Sequence, residues 1–396
     1  MKYILLVPDG AADEPLSDLD GKTPLEVART PYLDGLARTG LVGSVQVTPP
    51  DMYPGSDAAN MALLGYDPRR YYTGRGPIEA AAMGLPMDAR DVAFRCSLIG
   101  TDGETLLDYS AGHITTEEAR PIIELANSKL GTRSLTLFPG VSYRHILRWH
   151  DGPTEVQTHP PHENMGKPLA SIYPVGDGDS KLRGFIEDSL NLLDDLPFNR
   201  QRRQEGKSPA NMLWPWSPGR TPELPSLLSK RGVTGAVISA VDVVRGLGKL
   251  TGLEVLTVPG ATGYFDTNYA GKAQYALDAL NRHDFVWVHV EAPDEAGHAG
   301  SIDEKIRAIE NFDKLVVGTL LDGIKKVDDF RILCAPDHMT PVSTRGHAVG
   351  PVPFLLFDSR KEIRGGGHLP FDERALHETK TRLPEGYRLI DDLFAD

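Results

Sequence analysis

Six residues of metal-ligating type stand in four short stretches near opposite ends of the chain: Asp9 in VPDG, Asp294 and His298 in APDEAGHAG, Asp337 and His338 in APDHMT, and His347 in TRGHAVG. Ser56 in PGSDAAN opens a fifth stretch and adds the one hydroxyl. Carboxylate oxygen with imidazole nitrogen suits borderline divalent ions such as manganese, zinc or cobalt better than calcium, which prefers an all-oxygen shell. Such a set points to hydrolysis or group transfer. Taken singly, each residue has an ordinary explanation, since Asp is common in turns and an isolated His usually serves the core or the surface. Placement is what joins them. Asp9 follows KYILLV, Asp294 follows FVWVHVEAP and Asp337 follows FRILCAP.

Uninterrupted apolar runs rich in Val, Ile and Leu read as strands buried on both faces of a parallel sheet. In open α/β sheets ligands bind beyond the carboxyl ends of such strands, so residues distant in sequence can converge there. The first segment predicts a strand over 2–7 and a helix near 31–39, capped by Thr30 and started by Pro31. GSVQVTP then reads as a strand, and PGSDAANMALLGYDP as a turn entering a helix. From about 235 the order is GAVISAV, EVLTV, a helix over YAGKAQYALDAL, FVWVHV, a long helix over 302–325, RILCAP and PFLLFD, the rhythm of a parallel sheet. Residues 86–204 differ, with strand-like VAFRCSLIG, ETLLDYS and YRHILRWH and a helix near 117–130. They are expected to form a smaller α+β domain inserted into a discontinuous one made of 1–85 and 205–396. A chain of 396 residues exceeds the size at which single cores stop growing, which also favours two domains.

Net charge is −13 and the pI about 5.4, without a sustained Lys/Arg block, which argues against a nucleic-acid surface. The one basic cluster, RQRRQEGK at 200–207, reads as a solvated linker between the domains. MKYILLVPDG is apolar for too few residues to be a signal peptide, and no run approaches a membrane span. Cys96 and Cys334 lie in apolar strand-like segments and read as buried free thiols of a reducing, cytoplasmic setting.

Ser56 admits two roles. As a residue leading into a helix it would serve as an N-cap. The same position, where backbone N–H groups and the helix dipole attract a phosphate, suits a nucleophile activated by a metal. PGSDA does not match the Gly-x-Ser-x-Gly elbow, and GRGP at 74–77 lacks the lysine and spacing of a phosphate loop.

With GKTPLEVARTP, PGSDAANMALLGYDP, YYTGRGPIEAA and AGHI, this residue set resembles the archaeal-type cofactor-independent phosphoglycerate mutases of the alkaline phosphatase superfamily, over nearly the whole chain. The resemblance implies an alkaline-phosphatase-like, mostly parallel α/β sheet with an inserted substrate-capping domain. It implies two divalent ions (manganese first; zinc, cobalt or magnesium otherwise) and no need for 2,3-bisphosphoglycerate. Asp294, His298 and His347 then look like the ligands of one ion, and Asp9, Ser56, Asp337 and His338 like those of the other. The implied reaction interconverts 3-phosphoglycerate and 2-phosphoglycerate through a phosphoserine on Ser56, with the second domain excluding water. His113, Arg144, His145, His162 and Arg75 are the candidates for holding the substrate. AGHI and LLDYS resemble a bacterial branch of the family, some members of which have been proposed to act as homoserine kinases. A phosphotransferase or phosphatase for another small phosphorylated metabolite is therefore the alternative, and a catalytically silent metal-binding protein ranks last because Ser56 accompanies a full ligand set.

Overall fold

The computed structural model describes residues 1–324, 329–363 and 369–395. The chain divides into two compact units, Met1–Tyr72 with Glu223–Asp396, and Thr73–Pro222. In chain order the larger unit opens with β1 (Lys2–Pro8) and β2 (Leu41–Val45). The smaller unit contains β3 (Asp91–Thr101), β4 (Leu106–Asp108), β5 (Leu135–Val141), β6 (Arg144–His150) and β7 (Met212–Gly219). The larger unit resumes with β8 (Gly235–Ile238), β9 (Glu254–Leu256), β10 (Phe285–Val290), β11 (Phe330–Cys334), β12 (Val352–Asp358) and β13 (Arg382–Leu383).

The eight strands of the larger unit run in the order β13-β2-β12-β11-β1-β10-β8-β9. β1 pairs in parallel with β10 on one side and β11 on the other, from Tyr3↔Phe285 and from Lys2↔Phe330. Ile4, Leu5, Leu6 and Val7 are fully buried, as expected of a central strand covered on both faces. PFLLFD departs from the expected parallel pattern. It forms β12, antiparallel to β11 and to β2, because residues 335–351 contain no helix to carry the chain back across the sheet.

The segment expected as one helix over 302–325 is interrupted. Helix Ile302–Asn311 passes through a π-helical stretch, Phe312–Val317, into helix Gly318–Ile324, and Lys325 lies outside the described residues. The π stretch buries Asp313 against the helix Pro31–Ala37. There Asp313 accepts the amide hydrogens of Tyr32 at 3.2 Å and Leu33 at 2.7 Å. Asp313 therefore performs the capping expected of Thr30, whose side chain makes no cap hydrogen bond. Burial pushes the Asp313 carboxyl up to about 6, even though the two amides oppose it.

The smaller unit has edges other than the expected 86 and 204. Helix Arg75–Met83 and β7 both belong to it. β7 runs antiparallel beside β3 from Ala93↔Gly219 to Ile99↔Met212. Pro215 and Pro218 disguise it in the sequence, but prolines are tolerated on an edge strand, and β3 is its only strand partner among the described residues. Nor is RQRRQEGK a solvated linker. Its first residues end the helix Pro197–Gln204, and buried Arg202 donates to Ser208 O at 2.8 Å and Ala111 O at 2.5 Å. No helix among the described residues is long and apolar enough to cross a membrane.

If Asp313 is the cap, Asp313→Ala should lower the unfolding free energy by about 1–2 kcal/mol in urea titrations, and Thr30→Ala by less than half as much. The reverse order would contradict the assignment.

Candidate metal centre and active site

All six metal-type residues and Ser56 come together in the larger unit. Asp9 leaves the carboxyl end of β1, Asp294 and His298 lie on the helix Ala292–Ala299 after β10, and Asp337 and His338 follow β11. Since β10 and β11 flank β1, three adjacent parallel strands deliver three carboxylates to one crevice. Gly10, at φ +59°, permits the sharp exit from β1. A Cβ there would stand 2.6 Å from Asp294 Oδ1, and its N–H donates to Asp337 Oδ1 at 3.1 Å. Ser56 is the first residue of helix Ser56–Leu63, one place inside the Gly55 N-cap, and its side chain caps nothing. Its Oγ lies instead 3.2 Å from His338 Nε2.

Two overlapping groups of donors result. His298 Nε2 is 3.2 Å from Asp294 Oδ2 and 3.1 Å from His347 Nε2, and His347 Nε2 is 3.4 Å from Asp294 Oδ1. His338 Nε2 is 3.5 Å from Asp9 Oδ1 and 3.5 Å from Asp337 Oδ2. Donors about 2.1 Å from a tetrahedral ion lie about 3.4 Å from one another, so both groups have the spacing of a ligand shell. Tautomers fit as well. His298 Nδ1 faces Arg345 O at 3.0 Å, which only an N–H can satisfy, so in the neutral ring Nε2 is bare. The Arg345 carbonyl is presented by a left-handed backbone, φ +57°. Thr340 Oγ donates to Asp294 Oδ1 and accepts from His338 Nδ1 at 3.2 Å, which leaves His338 Nε2 bare too. Lone pairs aimed at carboxylates repel unless a cation lies between them.

The electrostatics carry the same demand. Burial, together with the carboxylates of Asp337 and Asp294, drives Asp9 well above the usual carboxylate range. Burial acts upward on Asp294 and Asp337 also, but the His298 and His347 rings hold Asp294 well below its usual value, and His338 and His289 hold Asp337 below. Burial pulls His338 down to about 4. Burial also pulls on His298, but the Asp294 carboxylate outweighs it and lifts the ring to about 9. Asp9 Oδ1 is buried with no hydrogen-bond partner. Bare nitrogens, crowded carboxylates and an orphaned oxygen fit divalent cations.

Several supporting residues escaped the sequence reading. Asn60, one turn beyond Ser56, donates to Asp337 Oδ2 at 2.7 Å and to Ser56 O at 2.9 Å. Buried Lys305 ties the two ligand-bearing loops together through Ala12 O, Asp13 Oδ2 and Thr340 O, at 3.2, 2.7 and 2.8 Å. His289, fully buried in β10, lies 3.4 Å from Asp9 Oδ2. A histidine at the end of an otherwise apolar strand was the signal for it.

The remaining candidates belong to the smaller unit. Arg75 Nε pairs with buried Glu79 at 2.8 Å. Arg95, missed because it sits within the apolar run of β3, pairs with the same Glu79 at 3.0 Å and stacks 4.4 Å over Trp216. The register Ser97↔Arg144 places Arg144 on the Arg95 face of the sheet, and Arg144 Nε is buried without a hydrogen-bond partner. Glu79 is held below its usual range because these three arginines outweigh its burial. His162 stands 5.4 Å from the Trp216 ring. His113 is exposed with φ +51° and lies 6.5 Å from Tyr109. His145 does not join this cluster. It pairs with Cys96 on the opposite face, is 2% exposed, and is drawn by burial and then Arg144 to about 3.

A protein-family model described as 2,3-bisphosphoglycerate-independent phosphoglycerate mutase matches residues 37–199. A probable 2,3-bisphosphoglycerate-independent phosphoglycerate mutase of Geobacter sulfurreducens is 46% identical over 99% of both chains. The chain belongs to the 2,3-bisphosphoglycerate-independent phosphoglycerate mutase family. The family's Methanosarcina barkeri member is also 46% identical, over 98% of both chains. Among solved structures, the PH0037 protein from Pyrococcus horikoshii superposes with a TM-score of 0.83 at 30% identity, covering 100% of this chain and 98% of that one. The cofactor-independent phosphoglycerate mutase from Thermoplasma acidophilum gives 0.65 at 29% identity, with 99% of each chain covered.

Because the three carboxylates repel one another, exhaustive chelation should lower the melting temperature by several degrees and added Mn²⁺ should restore it. A melting temperature indifferent to both would contradict the fit to cations.

Proposed function

We propose that this chain interconverts 3-phosphoglycerate and 2-phosphoglycerate through a phosphoserine on Ser56. The observation that carries the reading is the place of Ser56 Oγ, 3.2 Å from His338 Nε2 at the start of a helix, amid donors with ligand-shell spacing. Relatives named for this activity share 46% identity over almost the full length. Asp294, His298 and His347 would hold one divalent ion, and Asp9, Ser56, Asp337 and His338 the other. Manganese suits this mixed oxygen and nitrogen set first, with zinc, cobalt and magnesium as alternatives. When bound, the ions supply the positive charge that offsets both the phosphoryl oxygens and the reacting hydroxyl.

The chain's own groups do the rest. Ser56 Oγ bonds to phosphorus as the glycerate C3 oxygen leaves, taking up a proton. The glycerate 2-hydroxyl then takes the phosphoryl group from Ser56, whose hydroxyl is restored, so neither water nor a second phosphate donor is consumed. The helix Ser56–Leu63 turns its positive end toward the phosphoryl group. Asn60, donating to both Ser56 O and Asp337 Oδ2, keeps the nucleophile in register with its ligands. Arg75, Arg95 and Arg144 exceed the charge of Glu79 by two, a surplus suited to the glycerate carboxylate. His162 and His113 are the candidates for carrying protons to and from the hydroxyls. Buried free Cys96 and Cys334 are in keeping with a cytoplasmic setting.

Ser56→Ala should reduce turnover about a thousandfold or more. Acid-quenched wild-type protein should carry one phosphoryl group on the peptide containing Ser56, detected by mass spectrometry. Undiminished turnover in the variant, or a phosphoryl group on another residue, would defeat the reading.

A further inference from the structure

We propose that Asp108 and Arg202 are positioning residues for His113, holding its backbone in a strained turn so that its side chain is presented to the substrate. The proposal rests on the reading of His113 as a group that meets the glycerate. Ala111, Gly112 and His113 stand at φ +49°, +68° and +51°, the only three consecutive left-handed residues among those described. Glycine takes that conformation freely, but a side chain makes it costly, so at Ala111 and His113 the surroundings must impose it.

Asp108 is the first clamp. Its Oδ2 accepts the Gly112 amide hydrogen at 2.8 Å, and its Oδ1 accepts the Ser110 amide and hydroxyl, each at 2.8 Å. With its hydrogen given to Asp108, buried Ser110 Oγ turns a lone pair to the His113 amide at 3.1 Å. Arg202, the buried arginine of RQRRQEGK, is the second clamp. It donates from Nη2 to Ala111 O at 2.5 Å and from Nε to Ser208 O at 2.8 Å, and its Nη1 pairs with Glu118 at 3.4 Å. A Cβ on Gly112 would stand 2.9 Å from Nη2, so the turn is drawn tightly onto the guanidinium. Ser142, itself left-handed in the turn between β5 and β6, adds a third bond by donating its hydroxyl to Ile114 O at 2.5 Å. None of these bonds is needed to start the next helix, Thr116–Leu130, which Thr115 and Glu118 cap between them.

The ring held in this way begins a chain of aromatic contacts that leads to the arginines. His113 lies 6.5 Å from Tyr109, which is 6.3 Å from His162 and 5.6 Å from Tyr143. His162 is 5.4 Å from Trp216, over which Arg95 stacks at 4.4 Å, and the Arg144 guanidinium lies 5.9 Å from the Tyr143 ring. His113 is exposed, so the strained turn beneath it contributes little to the core through that side chain. The strain is accounted for by what the side chain meets from outside.

The test is a kinetic double-mutant cycle on the Mn²⁺-loaded full-length chain with 3-phosphoglycerate, using wild type, Asp108→Asn, His113→Ala and the double variant. Asparagine sets an NH2 group against either the Ser110 donors or the Gly112 amide. Asp108→Asn should therefore lower kcat about tenfold while His113 is present, and by less than about twofold once His113 is alanine. Arg202→Lys, which keeps the charge but cannot hold Ala111 O and Ser208 O together, should follow the same pattern. Equal losses in the two backgrounds, or a His113→Ala as fast as wild type, would overturn the proposal, because a merely structural defect adds to the loss of the ring. Should the buried Arg202 substitution fail to fold, the half-buried Asp108 carries the cycle. Histidine-labelled ¹H–¹³C spectra of the substrate-free chain read the turn without turnover. Asp108→Asn should shift the His113 signal, assigned by its loss in His113→Ala, and leave that of His283 in the larger unit in place. An unmoved His113 signal would overturn the proposal. Failure of the mutase reading would register separately, as wild type that leaves 3-phosphoglycerate unchanged, with the spectra still deciding whether Asp108 holds the turn.

Discussion

The larger unit is organised around an electrostatic conflict that its own side chains do not resolve. Asp9, Asp294 and Asp337 are brought by β1, β10 and β11 into one crevice, at 3%, 8% and 1% exposure. Burying like charges together costs several kcal/mol per ion unless cations compensate. The surrounding groups sharpen the conflict and leave it open. Arg345 O and Thr340 Oγ take the Nδ1 hydrogens of His298 and His338, Asn60 and Gly10 fix Asp337, and Lys305 locks the loops behind. What remains facing inward is carboxylate oxygen, imidazole nitrogen and the Ser56 hydroxyl. A fold that holds such a set together in advance has little reorganisation left to make when cations and a phosphoryl group arrive, which is where electrostatic catalysis gains most.

Accessibility grades across this crevice. The side chains of Asp337 and His338 are at most 1% exposed, while those of His347 and His298 reach 13% and 38%. Cations at the two groups of donors would therefore meet different environments, one sealed and one near solvent. Ser56, itself half-buried, reaches the more buried group through His338. The smaller unit meets a different need. Its Glu79-centred arginines and the Trp216 face make a local positive surplus, and Glu79 pairs directly with two of the three guanidinium groups, Arg75 and Arg95.

The parts of the molecule legible in the sequence are those where one residue type does one job. Apolar runs ending in Asp announced three central strands and the end of the sheet at which function gathers, and helix Tyr269–Leu280 lies where its pattern put it. Tertiary partners hid the rest. Thr30 looked like a cap, but Asp313, some 280 residues away, takes the amides. PFLLFD has the composition of a parallel strand, and composition carries no record that the connection before it lacks a helix. Pro215 and Pro218 masked an edge strand, and Arg95 stands inside an apolar run, with its partner Glu79 on a neighbouring helix that the run does not announce. His289 is one polar residue within the strand-like FVWVHV, a pattern that by itself marks no site. Only its contact with Asp9 distinguishes it.

The most direct test of the account is phosphorus NMR of 3-phosphoglycerate incubated with Mn²⁺-reconstituted protein in ¹⁸O-enriched water, quenched and freed of the ion before acquisition. The account predicts that 2-phosphoglycerate appears with no isotope shift on its phosphorus and with little free phosphate, because the phosphoryl group passes from substrate to Ser56 and back without meeting solvent. Free phosphate carrying ¹⁸O as the main product would contradict it, and would make the centre a phosphatase.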